Sequence, residues 1–116
     1  MQRICKEIFG EHEGRTVHLF RLTNANGMTA ELIEFGGRIK GLSIPDGKGG
    51  LDNMSVGFET LEPYAARFNP WFGALVGRTA SRITGASFEL DGVRYNLSAN
   101  GPGGSLMHGG YKGSTR

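Results

Sequence analysis

Asp91-Gly92 stands between two short runs that each alternate apolar and polar residues, Ala86-Ser87-Phe88-Glu89-Leu90 and Val93-Arg94-Tyr95-Asn96-Leu97. A two-residue link of this kind needs positive φ at both positions, which Asp tolerates and Gly adopts freely. The two runs therefore fold back on each other as an antiparallel hairpin. The same signature occurs upstream. Thr16 to Leu22 alternates, with Val17, Leu19 or Phe20, and Leu22 as the inward positions; Asn24-Ala25-Asn26-Gly27 is a turn, and Met28 to Glu34 resumes the alternation. Gly36-Gly37 breaks the chain before a third strand, Arg38 to Ile44, and Pro45 to Gly50 is a loop by composition. A strand is expected at Asn53 to Gly57, and a single helical turn within Glu59 to Ala66, where Pro63 limits its length. The apolar run Trp71 to Val76, bounded by Pro70 and Gly77, is expected to be a buried strand. The 20 glycines lie between apolar runs with no three-residue period, which excludes a collagen-like chain and suits many strands joined by tight turns. The expected fold class is all-β, an antiparallel β-sandwich.

Charge and composition narrow the partners. Thirteen basic and 11 acidic residues leave a net charge of +2, and no Lys/Arg cluster is present, so nucleic acid is not an expected ligand. The opening MQRICKEIFG lacks a signal-peptide apolar stretch, and no run reaches membrane-spanning length. A lone cysteine, Cys5, can form no internal disulfide. These features point to a cytoplasmic protein with no membrane partner.

Few residues offer chemistry. His12 lies in the polar stretch Glu11-His12-Glu13, and His18 on the polar face of an expected strand; both read as surface residues. No Cys/His pair has metal-ligand spacing, so no metal and no organic cofactor are expected. No serine lies in a GxSxG elbow, and no carboxylate pair stands out for glycoside chemistry. His108 differs in its surroundings, because glycines flank it on both sides and let a ligand approach the backbone closely. Gly77-Arg78-Thr79-Ala80-Ser81-Arg82 presents two arginines four apart. Arginine's fixed fork of donors suits a hydroxyl-rich ligand; the alternative is an ion pair with Glu59, Glu62 or Asp91. The residues alone thus describe a β domain with an Arg/His polar cluster.

The order of the segments carries more. From about Arg15 to Lys112 the chain resembles the aldose 1-epimerase (galactose mutarotase) family. The correspondence centres on Phe72-Gly73-Ala74-Leu75-Val76-Gly77-Arg78-Thr79-Ala80-Ser81-Arg82-Ile83, then Gly85, the Phe88 hairpin, Asn100, and Leu106-Met107-His108-Gly109-Gly110. Phe35-Gly36-Gly37-Arg38-Ile39, Pro45-Asp46 and Val56-Gly57-Phe58 support it. The resemblance implies a large antiparallel β-sandwich of the galactose mutarotase-like type, with residues 1–116 forming the amino-terminal part of a single domain and hence an incomplete sandwich. It implies interconversion of the α and β anomers of free aldohexoses such as galactose or glucose by acid–base ring opening. Arg82 and His108 match the family's sugar-contacting arginine and histidine. Ser81 stands where the family has asparagine, and Met107 and Ser114-Thr115-Arg116 also depart from its pattern. No metal or organic cofactor follows from it.

The resemblance also places the family's general-acid histidine and general-base glutamate beyond Arg116. The chain is therefore expected to supply the sugar-binding part of a site and to be inactive alone. A sandwich cut partway exposes apolar faces and unpaired edges, so self-association or pairing with a carboxy-terminal segment is expected. The alternatives are a non-catalytic carbohydrate-binding or regulatory module, and a β domain used only for protein contacts.

Overall fold

The computed structural model describes residues 3–111. Lys112, at the end of the resemblance, and the divergent Ser114-Thr115-Arg116 lie outside the described residues. The chain divides into two compact units, one running to Leu75 and one starting at Val76.

The first unit is a five-stranded antiparallel sheet in the order β1 (Arg3–His12), β2 (Arg15–Thr23), β3 (Thr29–Ile33), β4 (Arg38–Pro45) and β5 (Leu51–Asn53). The expected β2–β3 hairpin is present. Asn24 organises its turn: its side-chain oxygen accepts the backbone N–H of Asn26 at 2.9 Å and of Met28 at 3.0 Å. Strand β1 is an addition to the expected set. It reaches β2 through Glu13-Gly14, whose φ values of 50° and 73° are the two left-handed residues of a tight hairpin. Its side chains are mostly exposed, so it carries no clear burial alternation.

Two expected strands are corrected. The strand at Asn53 to Gly57 lies earlier, as β5, because the Asn53 side chain and Met54 end the ladder. The Asn53 oxygen takes the N–H groups of Leu42 and Ser55, both at 3.1 Å, while Met54 N–H bonds the Leu42 carbonyl. The run Trp71 to Val76 is not a strand, and Trp71, Leu75 and Val76 are exposed rather than buried. Trp71 at φ 60° and Gly73 at φ 61° turn it away from an extended path, and Ala74 N–H closes a turn onto the Trp71 carbonyl. The helical turn appears as α1 (Glu62–Ala65).

One face of the sheet carries the core. Val17, Leu19, Ile33 and Phe35 pack with Leu61 and Tyr64 of the α1 region, and Phe9 and Phe58 close its sides. Of the expected inward positions, Val17 and Leu19 are buried, whereas Leu22 lies on the opposite face beside Phe20. That second face is apolar and uncovered: Ile4, Ile8, Leu22, Ile39 and Ile44 are all exposed. Alternation alone cannot show which apolar face is covered, because β2 and β3 carry apolar residues on both.

Arg38 is buried within the core face, 1% exposed. Its guanidinium lies 5.2 Å from the Trp71 ring centre, 5.6 Å from Tyr64 and 5.7 Å from Phe35. One of its N–H groups donates to Asn69 Oδ1 at 3.2 Å. Burial pulls the Arg38 pKa down from its ordinary value, against the opposing electrostatic effect of the Tyr64 phenol. The aromatic faces partly replace the water that this cation has lost.

The second unit holds two short antiparallel pairs: β6 (Arg82–Ile83) with β9 (Leu106–Met107), and β7 (Ser87–Leu90) with β8 (Val93–Asn96). The β7–β8 hairpin is the one expected from Asp91-Gly92, whose φ values are 52° and 75°. Phe88 and Tyr95 face each other across it, rings stacked 5.2 Å apart. Ala86, Ser105 and Leu106 are buried, and Ile83 and Leu97 are half-buried.

Candidate functional site

The β6–β9 pair sets the candidate site. Arg82 lies directly opposite Met107, and Ile83 opposite Leu106, so two segments distant in sequence are joined by a two-rung ladder. The buried Leu106 side chain anchors one rung. Asn100 anchors the other. Its side-chain oxygen accepts the Met107 N–H at 2.7 Å, and its amide nitrogen donates to the Met107 carbonyl at 2.9 Å, so one side chain brackets both polar groups of that residue. Gly110 N–H adds a second donor to the Met107 carbonyl at 3.1 Å.

His108 follows β9 and meets Ser81, the residue before β6. The His108 backbone N–H donates to the Ser81 carbonyl at 2.9 Å, and the Ser81 backbone N–H donates to the His108 ring Nδ1 at 3.1 Å. Both residues adopt left-handed backbone, Ser81 at φ 63° and His108 at φ 49°. Each such non-glycine residue costs about 1 kcal/mol or more, so this strain is held by the surrounding bonds. Strain of this kind gathers where a side chain must be aimed rather than merely packed.

Of the expected site residues, Ser81, Arg82 and His108 are brought together, and all three are exposed. Arg78 is also exposed. Within the second unit, among the described residues, no ion pair joins Arg78 or Arg82 to Asp91. Exposed guanidinium groups that keep their donors available suit a polar ligand.

The other two histidines have local partners. The His18 Nδ1–H donates to Glu34 Oε2 at 2.5 Å, and the His18 backbone N–H reaches the same oxygen at 3.0 Å. These bonds hold the Glu34 carboxyl below its ordinary pKa, the side-chain bond from His18 being the largest cause. His12 sets its ring edge-on to Phe35, 5.2 Å between centres. His18 is thus half-buried and paired rather than a bare surface residue. Among the described residues, no group of three or more His, Cys, Asp or Glu side chains could hold a metal ion. No described helix is long and apolar enough to cross a membrane.

Sequence reasoning did not find the bracket made by Asn100 or the paired left-handed residues. The asparagine was visible as part of a motif, but nothing local shows which backbone groups it holds. Its four bonding sites match one residue's N–H and C=O, a pairing that only the β6–β9 register creates.

Known proteins show the same arrangement of segments. The aldose 1-epimerase family model matches residues 18–116. The galactose mutarotases of Bos taurus and Homo sapiens are each 36% identical over 115 residues, covering 97% of this chain and 33% of their own length. The chain therefore spans about a third of the length of these curated relatives. Among solved structures, galactose 1-epimerase from Lactobacillus acidophilus NCFM superposes with a TM-score of 0.80 at 20% identity, over all of this chain and 33% of that one. A GalM/aldose epimerase homologue from C. elegans gives 0.68 at 26% identity, over 99% of this chain and 30% of that one. The strand-rich fold is thus of the galactose-epimerase type, present in part. With a family match over most of its length and relatives above 30% identity, the chain belongs to the aldose 1-epimerase family.

Proposed function

We propose that this chain forms the amino-terminal, sugar-binding part of an aldose 1-epimerase acting on a free aldohexose such as galactose or glucose. The observation that carries the reading is the β6–β9 ladder, which brings Arg82 and His108 to one place in a family of isomerases. Arginine donates to sugar oxygens through a rigid fork, and an imidazole adds a second polar contact, so together they orient a ring for proton transfer. Ser81 is the third contact; its hydroxyl offers one donor where an asparagine would offer two.

The reaction itself needs an acid that protonates the ring oxygen and a base that removes the anomeric hydroxyl proton. The ring then opens, the aldehyde carbon rotates, and closure from either side gives the two anomers. Because the chain spans about a third of the length of its curated relatives, we read it as a binding half-site that forms one domain with the segments that complete the family's sandwich. The uncovered apolar face carrying Ile4, Ile8 and Leu22 supports association, either with a second copy or with a complementary segment. A cytoplasmic setting is part of this reading, and the free Cys5 is compatible with it.

Polarimetry on purified chain with α-galactose tests the division of labour. Anomerisation at the spontaneous rate is expected, and clear acceleration contradicts it. Size-exclusion chromatography is expected to show self-association, and a cooperatively folding monomer would count against the exposed face being an interface. A module used only for protein contacts would bind no sugar, whereas saturable binding lost in His108→Ala supports the present reading.

A further inference from the structure

We propose that the backbone amide of Ser81 sets the tautomer of His108, so that the imidazole meets its ligand as an Nε2–H donor and not as an acceptor. At a hydrogen-bonded position of a regular antiparallel ladder two facing residues exchange two bonds, N–H to C=O in each direction. Ser81 and His108 make only one of these, from His108 N–H to the Ser81 carbonyl at 2.9 Å. The second donor, Ser81 N–H, is directed instead to the His108 ring at Nδ1, 3.1 Å away. A backbone amide can only donate, so the ring atom it meets must carry a lone pair. The proton of the neutral imidazole then resides on Nε2.

This places both left-handed residues in one device. The turn of the chain at Ser81 (φ 63°) and at His108 (φ 49°) takes the amide and ring out of ladder geometry. Asn100 holds the preceding residue, Met107, by its N–H and its carbonyl, and so fixes where the His108 backbone begins. Arg82 is the charged residue of β6, and β9 contributes none. Arg82 has donors only, and the clamped His108 likewise presents a donor. The pair therefore selects ligand atoms that accept: oxygens with an available lone pair. Ser81 acts here as a positioning residue through its main chain. The inference about ligand atoms rests on the sugar-site reading above, but the tautomer itself does not.

Long-range 15N–1H correlation spectra of the His108 ring in the sugar-free chain test the tautomer directly. The Nε2–H form is expected; the Nδ1–H form, or an even mixture, overturns the proposal. Two substitutions separate the two ends of the ring. His108→Asn keeps an acceptor near the Nδ1 position, so hydrogen exchange at the Ser81 amide should stay near wild type while galactose binding weakens about tenfold or more. His108→Gln keeps a donor near the Nε2 position, so it should retain more binding than His108→Asn while Ser81 amide exchange accelerates about tenfold. Unchanged Ser81 exchange in His108→Gln, or wild-type binding in His108→Asn, would refute the assignment. If no form of the chain binds galactose, the ring spectra and amide exchange still decide the tautomer, and only the sugar-site reading fails.

Discussion

Replacing Tyr64 by Phe removes one oxygen from the centre of the first unit and leaves the ring. Tyr64 is fully buried, and its phenol oxygen accepts the Phe58 backbone N–H at 2.8 Å. The ring itself meets Phe58 edge-on at 5.2 Å and Phe9 at 6.2 Å, and it lies 5.6 Å from the Arg38 guanidinium. The Phe variant keeps those ring contacts but leaves the Phe58 N–H without its acceptor, a loss of about 1–2 kcal/mol. Tyr64→Ala removes the ring as well and should cost about 3–5 kcal/mol through lost burial and the cavity left behind. Trp71 is the single tryptophan and belongs to the same unit, so its fluorescence during urea unfolding reports on this core. With a urea m-value of about 1–2 kcal/mol/M, the Tyr64→Phe midpoint should fall by about 1 M at unchanged m. A Phe variant within about 0.3 kcal/mol of wild type would show that the bond to Phe58 contributes nothing, and that the core is held by ring packing alone.

Gly73→Ala should destabilise the same unit by more than about 1 kcal/mol, because φ is 61° there and an added Cβ would collide with the Ile39 carbonyl; a wild-type melting curve would contradict this. For Glu31, burial raises the pKa, but bonds from Arg21 and Lys40 and their charges outweigh it, so the folded value lies below the ordinary 4.5. That contribution is complete above 4.5 and is lost as pH falls through the depressed folded value, so Glu31→Gln should flatten the acid limb of a melting-temperature profile. An unchanged acid limb would remove Glu31 from the account. Ser81→Asn places a non-glycine residue that tolerates left-handed backbone well at φ 63°, so exchange at the Met107 and His108 amides should slow by a factor consistent with about 0.5–1 kcal/mol; faster exchange would refute the strain argument.

The hairpins were legible because their information is local. Asp91-Gly92 and Asn24 to Gly27 each combine a turn residue that accepts positive φ with flanking alternation, and both fold as read. Glu13-Gly14 makes an equally tight turn, but β1 beside it is largely exposed and shows no apolar rhythm. The Trp71 to Val76 run misled for the opposite reason. Its apolar side chains suggest burial, while two left-handed residues, one of them a tryptophan, bend it out of any strand. At the site, residue types were readable and their pairing was not. Strands β6 and β9 have two residues each, too short for any periodicity, and their union depends on Leu106 burial and the Asn100 bracket. Motif order supplied what periodicity could not, because it records the spacing of Ser81, Arg82 and His108 without requiring their contacts.

The central claim is that Ser81, Arg82 and His108 bind a sugar, and titration of 15N-labelled chain with galactose tests it most directly. The account predicts that the amides of these three residues shift together along one saturation curve, that the β7–β8 hairpin turn at Asp91-Gly92 stays still, and that the curve disappears in Arg82→Ala and His108→Ala. Absence of saturable shifts in the wild type, or shifts that persist in both variants, would contradict it.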